Sequence, residues 1–412
     1  MENQKPPFNR RKFLLNSAKV GAAGVLGYVL YAGRKEAISK VDPAPPPAAE
    51  PTTHDFLTQP ILTSLVQGEM TIQWITRKKS YSWVEYGLTK DLGQVAEHVM
   101  DGLTDANDRI HTITFKNLKP GTTYFYRICS KEIESFAREE EIEFGKTIKS
   151  ETYSFNSIDT SKNEWSWLIM NDVHDRPESI NLLYNIANTK ADFIFINGDI
   201  FNYAENEKQI ISHLLQPCSE LFAFHTPLLL SRGNHDMRGS YARKLKQYLP
   251  FKNEYFYTYQ TGPVFTVVLD TGEEEVTHPF DKSDAYREMQ AKWFEQIAET
   301  DAFKLAKFRV VKMHIPPYYS LNKKGSNHCR RLFSPLFDKY NVDIVFSGHT
   351  HKYGVYSPIK GKHEYAIIIG GGRYDGTRAI IKVKANEAEI TAQILKEDGS
   401  SAGKLTIAAK QV

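Results

Sequence analysis

Asp172-Val173-His174, Gly198-Asp199, Gly233-Asn234-His235-Asp236, His314 and Gly348-His349-Thr350-His351 each stand at the end of an apolar run. Carboxylates, an amide oxygen and imidazoles are the donors that borderline divalent and trivalent ions prefer. Gathered in one place they read as the centre of a two-metal hydrolase. In an extended segment, side chains at i and i+2 face the same way, so Asp172 and His174 are expected to grip one ion together. His349 and His351 repeat the pattern. An isolated histidine such as His225 or His278 is more often structural or exposed, and neither is given a role. The cysteines Cys129, Cys218 and Cys329 are too far apart in sequence for a thiolate site and supply no chemistry.

The apolar runs that carry these motifs are buried-strand material: 165–170, 193–196, 227–230, 264–269, 308–313, 342–346 and 366–369. Helices are expected around 179–188, 205–215, 240–248 and 285–300, and this alternation argues an α/β domain. Ligands bind beyond the carboxyl ends of strands in such sheets, which is where Asp172, Asp199, Asn234, His314 and His349 fall. The segments 271–284 and 318–331 are expected to be pocket-shaping loops. From 378 to 407 the pattern returns to strands, with Asp398-Gly399 as a hairpin turn.

Ahead of this region, 71–76, 82–87 and 112–115 are short alternating strands separated by turn residues. Asn117-Leu118-Lys119-Pro120-Gly121-Thr122-Thr123-Tyr124 resembles the fibronectin type III signature, in which a tyrosine closes the sandwich corner. Trp74 and Tyr124 are expected in its core. At the front, Arg10-Arg11 precedes an apolar, Gly- and Ala-rich stretch from Ala18 to Ala32, which resembles a twin-arginine export signal. An ordinary secretory signal or a single membrane anchor is the alternative. Pro43 to Ala49 then forms a stiff spacer. The expected organisation is an export signal or membrane anchor in 1–35, a Pro-rich linker in 36–52, the sandwich in 53–158 and the α/β domain in 159–412.

Taken in order, the polar motifs resemble the calcineurin-like metallophosphoesterases, with the pattern D-x-H, G-D, G-N-H-D, H and G-H-x-H over about 163–375. The resemblance implies an α/β (α+β) four-layer metallophosphoesterase sandwich preceded by an all-β fibronectin type III-like sandwich. It further implies that Asp172, His174 and His351 bind one metal and Asn234, His314 and His349 a second, with Asp199 bridging. A metal-bridging hydroxide would attack the phosphorus, and His235 would protonate the leaving group, with Asp236 orienting its imidazole. The two ions would be iron, manganese or zinc, which this donor set does not distinguish.

The layout is similar to that of plant-type purple acid phosphatases, yet departs from them. Those enzymes have glycine where this chain has His174, and a ligand tyrosine three residues after the bridging aspartate. Position 202 is Asn, and Tyr203 falls one residue late. Arg176, Arg232, Arg238 and Arg373 lie close to the motifs; an arginine there could clamp a phosphate, and a surface ion pair is the alternative for each.

At 412 residues and 41% apolar, the chain has material for two domains and a tail. With 52 basic and 49 acidic residues, its net charge of +3 offers nothing to a polyanion, so no nucleic-acid partner is expected. The expected function is that of an exported dinuclear phosphoesterase acting on a small phosphomonoester or phosphodiester. The alternative is a non-catalytic cell-envelope binding module that keeps the metal site for structure.

Overall fold

The computed structural model describes residues 53–138, 140–249, 254–275 and 278–410. The Arg10-Arg11 pattern, the apolar stretch after it and the proline-rich spacer lie outside these residues. Among the described residues no helix is long and apolar enough to cross a membrane.

The first strands are β1 (Ile61–Leu62), β2 (Met70–Gly87), β3 (Gln94–Ala96), β4 (Val99–Met100), β5 (Leu103–Thr104), β6 (Asp108–Phe115), β7 (Thr123–Phe136), β8 (Ile142–Lys149) and β9 (Tyr153–Asn156). The two strands expected at 71–76 and 82–87 are one, β2. Its first half pairs with β6 as far as Ile75, the register then shifts, and from Ser80 onward it pairs with β7. A bulge of this kind bends a strand so that it can serve both halves of a folded sheet. The tyrosine corner is present: the Lys119 amide donates to the Tyr124 hydroxyl at 3.0 Å. Trp74 and Tyr124 both lie in the core, with Phe115, Tyr126 and Phe155.

His111 on β6 is buried beside the Trp74 ring, with Nε2 3.0 Å from the Thr76 hydroxyl. Burial drives its pKa down to about 3, Asp108 pulling the other way. The imidazole is therefore neutral in the fold and ordinary, near 6.5, in the unfolded chain. Its contribution is fully present above about pH 6.5 and is lost as pH falls toward 3, a swing of about 3–5 kcal/mol. His111→Phe is expected to flatten the acid limb of Tm against pH, because Thr76 keeps the Lys78 carbonyl as acceptor. An unchanged acid limb would refute the assignment.

The remaining strands are β10 (Glu164–Met170), β11 (Phe193–Asn197), β12 (Leu228–Ser231), β13 (Tyr257–Thr261), β14 (Val264–Leu269), β15 (Phe308–Met313), β16 (Ile344–Ser347), β17 (Gly354–Tyr356), β18 (Ala366–Ile369), β19 (Ala379–Asn386), β20 (Glu389–Lys396) and β21 (Ser401–Ala408). They form two six-stranded sheets, β12-β11-β10-β19-β20-β21 and β13-β14-β15-β16-β18-β17. Pairing is parallel among β10, β11 and β12, and among β14, β15, β16 and β18. Three apolar layers hold them together. One packs the segments around Ile180, Leu214 and Phe222 on the first sheet, one lies between the sheets, and one packs the helices Ser283–Ala298 and Lys324–Lys339 on the second. The result is helix, sheet, sheet, helix, the expected four layers.

Three expectations need correction. The segment 318–331 is not all loop, since a helix begins at Lys324 and runs to Lys339, with Pro335 inside it. The helix expected at 240–248 is a 3-10 turn, Ala242–Lys244, and a short turn, Leu245–Tyr248. Its buried residues Ala242, Leu245 and Tyr248 are three apart, which favours the 3-10 period over 3.6. The helix expected at 205–215 opens into a π-turn, Ile211–Leu215, just before Pro217 and continues to Leu221.

Candidate metal centre

The carboxyl ends of both parallel strand sets converge on one site. Asp172 and His174 follow β10, Asp199 follows β11, Asn234 follows β12, His314 follows β15, and His349 and His351 follow β16. Asp172, His174, Asp199 and His351 form one donor group, and Asp199, His314 and His349 a second, the donor atoms of each lying within 4.8 Å of one another. Asn234 joins the second group, its Oδ1 2.9 Å from His349 Nδ1. Asp199 belongs to both.

The sheets extend into this site as backbone rungs. The amides of Asp172, His174 and Asp175 donate to the carbonyls of Gly198, Asp199 and Ile200, so the two ligand loops are zipped together. The side chain of Asn197, fully buried, donates to the Phe346 carbonyl at 3.2 Å and so ties the first sheet to the second below the site. Neither x-separated pair is extended, contrary to the sequence expectation. Asp172 and His174 have φ of 56° and 49°, and His349 and His351 have φ of 70° and 56°. Left-handed turns, not the two-residue repeat of a strand, bring both members of each pair inward. Gly198 also has positive φ, and a Cβ there would stand 2.6 Å from His314 Nδ1. Gly233 and Gly348 do not; they are needed for close approach, since a Cβ on Gly348 would meet Asp172 Oδ2 at 2.6 Å.

The hydrogen bonds decide which nitrogens are left for an ion. His314 Nδ1 donates to the Asn197 carbonyl at 2.7 Å, which leaves Nε2 buried, without a hydrogen bond, 3.1 Å from Asp199 Oδ2. His174 Nδ1 donates to Asn202 Oδ1 at 3.2 Å, and its Nε2 lies 3.0 Å from His351 Nε2. Two imidazole nitrogens that close need a shared proton or a shared cation between them. Two donors each about 2.1 Å from one ion and at right angles lie about 3 Å apart, so the spacing fits a cation. Asn234 Oδ1 and His349 Nδ1, 2.9 Å apart, are joined by an ordinary hydrogen bond when His349 carries its proton on Nδ1, and the same spacing fits a shared cation.

The charges agree. Burial resists ionisation of Asp172, yet His174 and His351 hold its carboxyl far below the usual range. Asp199 is likewise held down against burial, chiefly by His314. Against the effect of burial, Asp199 and Asp172 push His314 up to about 10, while burial and the neighbouring His314 push His349 down to about 4. The two carboxylates thus favour positive charge at the His314 edge that faces Asp199, where an ion would be held.

His235 and Asp236 part company. Asp236 does not orient His235: its carboxylate accepts from the amides of Ile200, Phe201 and Gly233 and locks the loop. Burial and the Asp199 charge push it up to about 7 against those donors. The Asn202 carbonyl orients His235 instead, 3.1 Å from Nδ1, while the His235 amide donates to Asp199 Oδ1 at 2.9 Å. Asn202 thus fixes His174 with its side chain and His235 with its backbone. Tyr203 is 51% exposed.

Of the arginines, Arg232 is committed to buried Asp270 and stacks on Tyr255. Arg238 is held by both oxygens of Glu273, with its third nitrogen 3.1 Å from His235 Nδ1 and 3.2 Å from Nε2. Arg373 donates to Asn202 Oδ1, and Arg176 lies over Tyr374. Sequence reasoning missed Asn197, Asn202, Glu273 and Glu274 as parts of the site. Asn197 carried a signal, as a polar residue closing the apolar run Phe193–Ile196 immediately before Gly198-Asp199.

Residues 167–353 match the family model "Calcineurin-like phosphoesterase", and residues 58–157 match "Purple acid Phosphatase, N-terminal domain". The chain is similar to purple acid phosphatase 21 of Arabidopsis thaliana, 27% identical over 294 residues that cover 65% of this chain and 59% of that protein. It is also similar to acid phosphatase type 7 of Mus musculus, 23% identical, covering 71% and 68%. Among solved structures, it shares its fold with purple acid phosphatase PPD1 from yellow lupin (Lupinus luteus), with a TM-score of 0.63 and 17% identity, covering 85% of this chain and 74% of that one. A structure of PhoD aligns with a TM-score of 0.60 and 12% identity, covering 89% and 90%.

Proposed function

With a calcineurin-like phosphoesterase domain in residues 167–353 behind a purple acid phosphatase N-terminal domain in residues 58–157, we propose that this chain is a dinuclear-metal phosphoesterase that hydrolyses small phosphate esters. The observation that carries the reading is the pair of donor groups sharing Asp199. Asp172, His174 and His351 would hold one ion, Asn234, His314 and His349 the other, and Asp199 both. When bound, such a pair supplies Lewis-acid charge to the phosphate oxygens and acidity to an attacking water.

The remaining work belongs to the chain's own side chains. With Nδ1 turned to the Asn202 carbonyl, His235 presents Nε2 to the site and is the group placed to give a proton to the departing alkoxide. Arg238, anchored on Glu273, sits beside the imidazole, near both of its nitrogens, and would offer a donor to a phosphate oxygen. Burial and Arg238 both lower the His235 pKa, so its protonated form is a stronger acid than a free imidazole. Asp236 keeps the loop carrying Asn234 and His235 in register through its three amide contacts.

Leaving-group dependence tests the assignment. Metal-loaded protein is expected to hydrolyse aryl phosphates and bis-aryl phosphodiesters. His235→Ala should cost about 10²–10⁴-fold with alkyl esters, and much less with nitrophenyl esters that leave without a proton. Equal losses on both would remove His235 from the acid role, and no turnover with any metal would favour the envelope binding module. We further infer export, from the Arg10-Arg11 pattern and the apolar stretch that follows it.

A further inference from the structure

The two donor groups are not equivalent in charge. The first has a carboxylate of its own, Asp172, besides the shared Asp199. The second has Asn234, His314 and His349, all neutral when they ligate, and only the shared carboxylate. A second-position cation is therefore short of negative charge by comparison.

Glu274 stands where that charge is missing. It lies beyond β14, is 3% exposed, and places Oε2 3.4 Å from His349 Nε2. Its other oxygen is satisfied by Ser326, whose amide and hydroxyl donate at 3.2 and 2.8 Å. Oε2 is buried without a hydrogen bond. Among the described residues no lysine or arginine forms an ion pair with this carboxylate; His349 alone does. The approach is built in: the Gly325 amide donates to the Glu274 carbonyl at 2.9 Å, and a Cβ on Gly325 would stand 2.8 Å from the Glu274 Cα. On the opposite edge of the His349 ring, Nδ1 faces Asn234 Oδ1 at 2.9 Å. Once Nδ1 is given to an ion, Nε2 carries the hydrogen, and the nearest acceptor is Glu274 Oε2.

We propose that Glu274 is the positioning residue of the second ion, acting through His349 to fix its ring and to supply the charge that position lacks. Resting on the two-ion reading above, the assignment separates the two positions in a measurable way. Outer carboxylates of this kind are worth about 10–100-fold in metal affinity.

The test is zinc binding to the ion-free full chain, followed by equilibrium dialysis and elemental analysis. Wild type is expected to take up two ions, and Glu274→Gln to keep one at wild-type affinity and hold the other about 10–100-fold more weakly. The Tm of the ion-free form should stay unchanged, which a packing role would not predict. Two ions bound as tightly as in wild type would overturn the proposal, and so would equal weakening of both. If Glu274→Gln does not accumulate folded, Glu274→Asp should weaken the second ion by a smaller factor, and unchanged binding would again overturn it. Wild type binding fewer than two ions would instead break the parent reading.

Discussion

Asp199→Ala is expected to cost at least about a thousandfold in kcat/KM on an aryl phosphate and to strip the protein of its second ion. The reason is the shared position of this carboxylate: without it, Asn234, His314 and His349 offer an ion no negative first-layer ligand. Losing one of two cations forfeits several kcal/mol of transition-state charge stabilisation, and about 1.4 kcal/mol is tenfold in rate. The His235 amide and the His314 and His174 imidazoles all face the same carboxylate, at 2.9, 3.1 and 3.4 Å, so its removal also loosens their arrangement. Elemental analysis and initial rates on protein with native circular dichroism would settle the point. Two retained ions with activity within tenfold of wild type would show that Asp199 is not shared.

Lys312→Met should raise Tm by about 6 °C. Lys312 lies on β15 facing the layer between the sheets, is fully buried, and its ammonium makes no hydrogen bond among the described residues. Its surroundings are rings: Phe195 at 4.0 Å, Phe193 at 5.0 Å, and Trp167 and Tyr259 at 5.4 Å. Burial pushes its pKa well below that of a free lysine. The fold therefore bears either a dehydrated charge or a lost proton, and a methionine of similar shape bears neither. A net gain of about 3 kcal/mol follows if the rings return only part of that cost, and each kcal/mol is worth about 2 °C in a domain of this size. A melting point that does not rise would mean that the four rings solvate the ammonium as well as water does.

Much of this was readable in advance, for identifiable reasons. Runs such as Val264–Leu269 and Phe308–Met313 are strands from end to end, because a strand covered on both faces leaves little room for polar residues. The ligands were readable because each follows directly on such a run. What spacing does not carry is backbone handedness, and the left-handed turns at Asp172 and His349 produce by another route the pairing that an extended segment promised. Glu274 lay hidden in Glu273-Glu274-Glu275, a run that reads as a solvated loop, although Glu273 and Glu274 are both buried. Lys312 was equally silent: one lysine in an apolar strand does not reveal which face it takes. The helix from Lys324 escaped because its first turn, Lys324-Gly325-Ser326-Asn327, has no apolar stripe and Pro335 interrupts the rest.

The left-handed turns bear on how this site can change. Asp172, His174, Asp175, Asp199, His349 and His351 all occupy backbone angles that a glycine would adopt at no cost and that other residues adopt at a cost of order 1 kcal/mol or more each. Five of the six are donors the proposed chemistry requires, and the sixth, Asp175, holds Asn202 in place. Stability and activity thus press on the same few positions from opposite sides. Drift toward glycine would relax the loops and silence the site, so a sturdier but inert descendant lies only a few substitutions away.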